Sequence, residues 1–254
     1  MLHMISHGPE KGSEAGTPLI IAHGLFGSGR NWGVIAKRLA NHRRVIALDM
    51  RNHGASTWSE DHSYHALAAD IEEVATTLDQ PVDLLGHSMG GKAAMVAALS
   101  GAPIRRLIVA DIAPVGYSHS QQPVIDAMQS VPLDHTTSRA EADRALSAHI
   151  EDPALRSFLL QSLNVSERRW RLNLLALSAS MDQIIGFPDI SGHFNAPALF
   201  LTGALSDYLR PEHRPIIKAL FPKARFAKIP QAGHWLHAEK PHEFEAAVRV
   251  FLEA

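Results

Sequence analysis

The sequence predicts an α/β protein built on a buried, mostly parallel sheet. Short apolar runs alternate with longer segments of helical spacing, the runs are apolar on both faces, and several of them end on glycine. Taken in order, Thr17-Pro18 leads into Leu19-Ile20-Ile21-Ala22, and Arg43-Arg44 leads into Val45-Ile46-Ala47-Leu48. Val82-Asp83-Leu84-Leu85, Leu107-Ile108-Val109-Ala110 and Ala198-Leu199-Phe200-Leu201 follow, and Phe226 begins a last strand-like stretch ending at Ile229. Each run is too short for a helix. Gly24, Gly86 and Gly203 punctuate three of them, and ligands of open α/β sheets bind beyond such carboxyl ends.

Between the strands, residues 32–39, 64–78 and 92–99 have helical spacing, the third stopping at Ser100-Gly101-Ala102-Pro103. Pro241 opens a terminal helix on which Phe244, Val248 and Phe251 share one face. The stretch 115–195 breaks the rhythm. It is long, polar and helix-like (140–150, 154–163, 170–177) with no convincing strand, and a structureless loop of that length inside a compact unit is improbable. We therefore read one core in two segments, 1–114 and 196–254, with a helical insertion at 115–195 over the strand ends.

Composition narrows the chemistry. Of 254 residues, 46% are apolar and 20% charged, which is ordinary for a globular chain. The 24 basic against 26 acidic residues leave a formal charge of −2, without the positive excess that nucleic acid or an anionic membrane surface demands. The absence of cysteine excludes disulfides, thiolate metal sites and a thiol nucleophile. Neither a leader pattern nor a run of roughly 18 apolar residues is seen, so the expectation is a soluble, cytoplasmic protein without a membrane span. The 16 histidines are the unexplained feature.

The strongest motif is Gly86-His87-Ser88-Met89-Gly90-Gly91, placed directly between a buried strand and an apolar helix. A serine in so tight a turn projects its hydroxyl above the sheet, while the flanking glycines let strand and helix pass closely. The helix that follows aims free N–H groups at the same point. Ser88 is the candidate nucleophile. A hydroxyl needs a base, and on such sheets the partners follow in the order Ser, Asp or Glu, His. His234, in Ala232-Gly233-His234-Trp235, is the candidate base, with His237 as the alternative. An oxyanion site needs backbone N–H groups near the elbow and near the end of the first strand, which assigns Met89 and Leu25, with Phe26 as a substitute for Leu25. His23 orders that loop. His62-x-x-His65 and His234-x-x-His237 are the close histidine repeats, and neither has an evident set of further metal ligands.

Five segments together resemble the α/β-hydrolase superfamily: His23-Gly24-Leu25-Phe26-Gly27-Ser28, Asp49-Met50-Arg51-Asn52-His53-Gly54-Ala55-Ser56, Gly86 to Lys92, Asp111-Ile112-Ala113-Pro114, and Gly233 to Pro241. The chain looks most like its small bacterial intracellular carboxylesterases, some described as acyl-CoA thioesterase-like. The resemblance implies an eight-stranded, mostly parallel sheet with one antiparallel edge, helices on both faces, and a helical cap inserted after the sixth strand. It implies scaffold roles for Asp49 and Arg51, and a structural or entrance-lining role for Lys92. For the acid, the usual position falls on Ser206, with Asp207 one residue late, whereas small-esterase relatives use the end of the sixth strand, here Asp111. Asp111 is therefore the candidate acid and Asp207 the alternative.

The expected chemistry is acyl transfer to water through an acyl-enzyme on Ser88, with a small-molecule ester or thioester as substrate and no cofactor or metal. A cofactor-free haloperoxidase, a C–C bond hydrolase or an acyltransferase would use the same residues, and a non-catalytic binding protein on this fold is the remaining class.

Overall fold

The computed structural model describes residues 1–9 and 16–254. Seven strands form the main sheet: β1 (His3–His7), β2 (Gly16–Ala22), β3 (Arg43–Asp49), β4 (Val82–His87), β5 (Ile104–Ala110), β8 (Ala198–Gly203) and β9 (Ala224–Ile229). A separate two-strand ribbon supplies β6 (Leu163–Asn164) and β7 (Arg169–Trp170). The sheet order is β1-β3-β2-β4-β5-β8-β9, with β1 antiparallel to β3 and every other pairing parallel. The eight-stranded expectation is thus corrected to seven among the described residues, and the helical stretch leaves the fifth strand rather than the sixth. The antiparallel edge is β1, paired with β3. Its residues are at best half-buried, so it carries no apolar run to read. Pro18 lies inside β2, where the register with β3 shifts, the kind of irregularity at which a strand tolerates proline.

Strand alternation divides the core between the two faces of the sheet. Ile20, Ile46, Leu84, Leu107 and Phe200 face one layer, formed by α2 (Tyr64–Thr76), α3 (Met89–Leu99) and α9 (Arg214–Leu220). Leu19, Val45, Leu85, Ile108 and Leu201 face the other, formed by α1 (Gly33–Leu39) and α11 (Pro241–Glu253), whose Phe244, Val248 and Phe251 make the apolar stripe read from the sequence. The short α10 (Leu236–Glu239) precedes α11.

Between β5 and β8 the chain forms α4 (Gln122–Gln129), α5 (Arg139–Ser147), α6 (Pro153–Leu160), the ribbon, α7 (Leu174–Ala179) and α8 (Met181–Ile185). These elements share a third apolar core in which Ile125, Met128, Leu159, Trp170 and Leu177 surround Phe26, a residue of the loop after β2. Trp170 donates its indole N–H to the Met128 carbonyl at 2.9 Å, closing the ribbon over α4. Among the described residues, no helix is long and apolar enough to cross a membrane.

Candidate active site

The turn at Ser88 joins β4 to α3, and its backbone is held at φ 52°, ψ −120°, a region costly for a residue with a Cβ. The turn persists because its surroundings fix it. The Ser88 N–H donates to the Ala110 carbonyl at 3.0 Å, tying the elbow to the end of β5. A Cβ on Gly86 would collide with the Gly90 backbone, and one on Gly90 would collide with the Ala22 and His23 carbonyls. Neither neighbour is a side chain that could swing aside. Gly90→Ala is therefore expected to lower stability by about 3 kcal/mol or more, read from the urea midpoint, even though alanine favours helices elsewhere.

Asp111 also has a left-handed backbone, φ 54°, which aspartate tolerates better than most residues. Its fully buried carboxylate accepts four hydrogen bonds. Thr202 Oγ1 (2.5 Å) and the Gly203 N–H (3.1 Å) donate to Oδ1, while Ser206 Oγ (2.5 Å) and His234 Nδ1 (2.8 Å) donate to Oδ2. A carboxylate can only accept, so Nδ1 of His234 carries the proton and Nε2 is left as an acceptor. Ser88 Oγ lies 3.1 Å from that Nε2 and donates to it.

Two rings flank the His234 imidazole. Tyr208 stacks on it with centroids 4.0 Å apart and planes 21° apart, and His87 lies at 4.8 Å. His87 donates from Nε2 to the His234 carbonyl at 2.9 Å, and burial holds its pKa well below the usual histidine range, so it acts as a neutral strut under that loop.

The alternatives fall elsewhere. His237 is buried and stacked on Trp32, with centroids 4.1 Å apart, and burial pushes its pKa down to about 3. Asp207 is exposed, and its neighbour Ser206, at the position more usual for the acid, reaches the Asp111 carboxylate instead. Asp49 holds the N–H groups of Gly29 and Ala55 at 2.8 and 2.9 Å, and Arg51 grips Asp70 through two hydrogen bonds of 2.6 and 2.8 Å, far from proton-transfer duty. Among the described residues no three His, Cys, Asp or Glu side chains are grouped to hold a metal ion.

The loop after β2 brings Leu25 and Phe26 beside the elbow. Gly24 makes this approach possible, since a Cβ there would lie 2.9 Å from His87 Nδ1 and 3.1 Å from the Ser88 Cβ. Met89 opens α3, so its N–H belongs to the unpaired first turn of a helix.

Ser88 and His234 open onto a cavity of about 310 Å³ walled by Leu25, Trp32, Ile112, Phe158 and Ile185 among others. Lys92 lies at its back, 1% exposed, donating Nζ to the carbonyls of Ile185 (2.8 Å) and Gly186 (2.5 Å) and lying 4.7 Å from the Tyr117 ring centroid. Burial lowers its pKa to about 7. Between that value and the ordinary lysine value near ~10.4 the unfolded chain holds a proton that the folded chain has lost, so this group makes stability rise with pH across the window and contributes no slope below it. The stability difference between the wild type and Lys92→Met should accordingly shift in favour of the wild type as pH is raised from 7 to 10, measured by urea unfolding at each pH.

The model of the Alpha/beta hydrolase family matches residues 19–247, nearly the whole chain. The chain belongs to the alpha/beta hydrolase family. This hydrolase is similar to the sn-1-specific diacylglycerol lipase ABHD11 of Mus musculus, 41% identical over 246 residues that cover 92% of this chain and 80% of that protein. It is also similar to Esterase YbfF of Escherichia coli, 38% identical over 242 residues that cover 93% of each. Among solved structures, a Marine microorganism esterase superposes on the hydrolase with a TM-score of 0.92 at 38% identity, covering 98% of both chains.

Sequence reading did not find roles for His87, Thr202 or Tyr208, and it marked Ser206 only as the usual position of the acid, not as a donor to Asp111. His87 occupies a variable position of the elbow motif, Thr202 lies near the end of β8, and Ser206 and Tyr208 lie in the turn that follows it. The register of β5 against β8, with Asp111 N–H on the Leu201 carbonyl at 2.8 Å, brings Thr202 and Ser206 to the carboxylate.

Proposed function

We propose that this protein hydrolyses small carboxylic esters through an acyl-enzyme on Ser88, with His234 as general base, Asp111 as the orienting acid, and the Leu25 and Met89 N–H groups as the oxyanion site. The observation that carries the reading is the continuous chain from Asp111 through His234 to Ser88, with hydrogen bonds of 2.8 and 3.1 Å, opening into an apolar-walled cavity. The names of the similar proteins, esterase and diacylglycerol lipase, both denote cleavage of carboxylic esters.

In the first step His234 Nε2 accepts the Ser88 proton as Oγ attacks the ester carbonyl carbon. The carbonyl oxygen gains charge, and the Leu25 and Met89 N–H groups stabilise it. Asp111 keeps Nδ1 protonated and offsets the charge of the imidazolium. His234 then gives its proton to the departing alkoxide, leaving the acyl group on Ser88. Water, deprotonated by the same Nε2, attacks the acyl carbon, and His234 returns that proton to Ser88 Oγ as the Oγ–acyl bond breaks and the carboxylic acid leaves. Tyr208 and His87 hold the imidazole in plane throughout. Residues 115–195 act as the cap that walls the cavity, supplying Phe158 and Ile185.

The cavity is at the small end of ligand sites, which span roughly 300–1,000 Å³, so short acyl chains fit it and long ones do not. A p-nitrophenyl ester series tests this together with the reaction class. Turnover is expected to peak at acetyl to hexanoyl groups and to fall steeply by palmitoyl, and an organophosphonate is expected to label the Ser88 peptide alone. Absence of ester turnover, or labelling elsewhere with turnover intact, would sink the reading.

A further inference from the structure

Three buried histidines in the loops behind the elbow take no part in the proton transfers above: His23, His53 and His62. Of these, His53 engages the oxyanion loop in a way that bears on catalysis. It belongs to the Arg51-Asn52-His53-Gly54 turn, which the rest of the fold fixes tightly. The His53 N–H donates to the Met50 carbonyl at 3.0 Å, Gly54 N–H donates to Arg171 O at 2.8 Å, and the Asp49 carboxylate holds the Ala55 N–H. The ring is fully buried, with Nδ1 2.8 Å from the Arg51 carbonyl. A carbonyl only accepts, so Nδ1 carries the proton and Nε2 presents a lone pair.

That lone pair accepts the Phe26 N–H at 3.2 Å. Phe26 has a left-handed backbone, φ 64°, which is unusual for a bulky residue and requires its surroundings to hold it. Its side chain is anchored in the apolar core of α4 to α8, and its amide is anchored by His53. The amides after Gly24 can then be accounted for in turn. Gly27 N–H donates back to the Gly24 carbonyl at 3.0 Å, Phe26 N–H is taken by His53, and the Leu25 N–H meets no acceptor among the described residues.

We propose that His53 is a positioning residue of the oxyanion site: by accepting the Phe26 amide it fixes the left-handed turn that leaves the Leu25 N–H free and aimed at the reacting carbonyl. The inference rests on the serine-hydrolase reading of Ser88 and deepens it, since it says which of two adjacent amides serves the oxyanion and what makes the choice. Without an acceptor at the Nε2 position, Phe26 can leave the left-handed region, and its amide and that of Leu25 compete for the same oxygen. Misplacement of a donor by about 1 Å costs about 10²-fold in rate.

The test compares His53→Gln, whose side-chain oxygen can occupy the place of Nε2, with His53→Asn, whose amide reaches only the place of Nδ1. Both retain a polar side chain in this buried position, which His53→Leu would not. The Asn variant is expected to lose about 10²-fold in kcat with KM within about twofold, because the lost interaction belongs to the transition state. Its affinity for a boronic acid inhibitor, whose tetrahedral adduct places an oxygen in the oxyanion site, should fall by the same factor. The Gln variant should recover at least about tenfold of both losses. A merely structural role would lower the melting temperature of both variants and leave inhibitor affinity per folded molecule unchanged. Equal kcat and equal inhibitor affinity in the two variants would overturn the proposal. Ser88→Ala run alongside separates the two failures: if it abolishes turnover while the His53 variants stay equal, only the role of His53 falls, and if turnover survives it, the reading of Ser88 falls first.

Discussion

Replacing Ser88 with alanine is expected to reduce kcat for p-nitrophenyl butyrate by about 10⁴- to 10⁶-fold while leaving the fold intact. The residual rate would come from the Leu25 and Met89 amides and the cavity, which still bind the ester and polarise its carbonyl for direct attack by water. KM should change little, since Oγ contributes no binding before attack. Stability should stay within about 1 kcal/mol of wild type, because among the described residues the hydroxyl makes one hydrogen bond, to His234 at 3.1 Å, and alanine leaves the backbone demand at φ 52° as it was. The check pairs steady-state kinetics with urea unfolding of both proteins. A loss of activity that tracks a loss of stability would mean that the elbow, rather than the hydroxyl, was damaged. Retained turnover in a stable variant would place the nucleophile elsewhere.

The sequence shows Ser88 because a strained turn leaves a local record. Glycines at 86 and 90 are forced by backbone atoms within van der Waals reach, and the flanking strand and helix are apolar enough to announce themselves. His234 is readable from its place after the last strand. Elements defined only by long-range pairing are less visible. β1 pairs along one edge of β3 and buries little, so its alternation is silent, and the sheet has seven strands among the described residues where a family likeness suggested eight. The α9 helix, seven residues opening on Arg214-Pro215, also escaped, because too few turns exist for a period to emerge. The histidines illustrate the same divide. Composition shows sixteen of them, but only the fold shows that His23, His53 and His62 bridge the loop behind the elbow as neutral, buried groups. His23 Nδ1 donates to the Gly24 carbonyl at 2.8 Å and its Nε2 accepts the Met50 N–H at 2.9 Å, a pairing of residues 27 positions apart that no spacing rule encodes.

Asp111→Asn is expected to lower kcat by about 10⁴-fold, whereas Asp207→Asn should stay within about twofold of wild type. The reason lies in how an amide would fill the carboxylate's place. Its NH₂ group must occupy one of the two oxygen sites, and each is surrounded by donors. At the Oδ1 site it would face the Gly203 N–H, which is fixed by the backbone, as well as Thr202 Oγ1. At the Oδ2 site it would face Ser206 Oγ, which can rotate its proton away, and His234 Nδ1, which can give up its proton by changing tautomer. The second arrangement avoids a fixed clash, so the asparagine variant settles there. His234 then carries its proton on Nε2, pointing at Ser88, and can no longer accept from it. The base is present and correctly placed, but in the wrong tautomer. Rate falls through kcat, with KM near its original value. Asp207, exposed in the turn after β8, has no such constraint. Measuring kcat for both variants on one ester decides between them, and loss confined to Asp207→Asn would move the acid to the turn that Ser206 occupies.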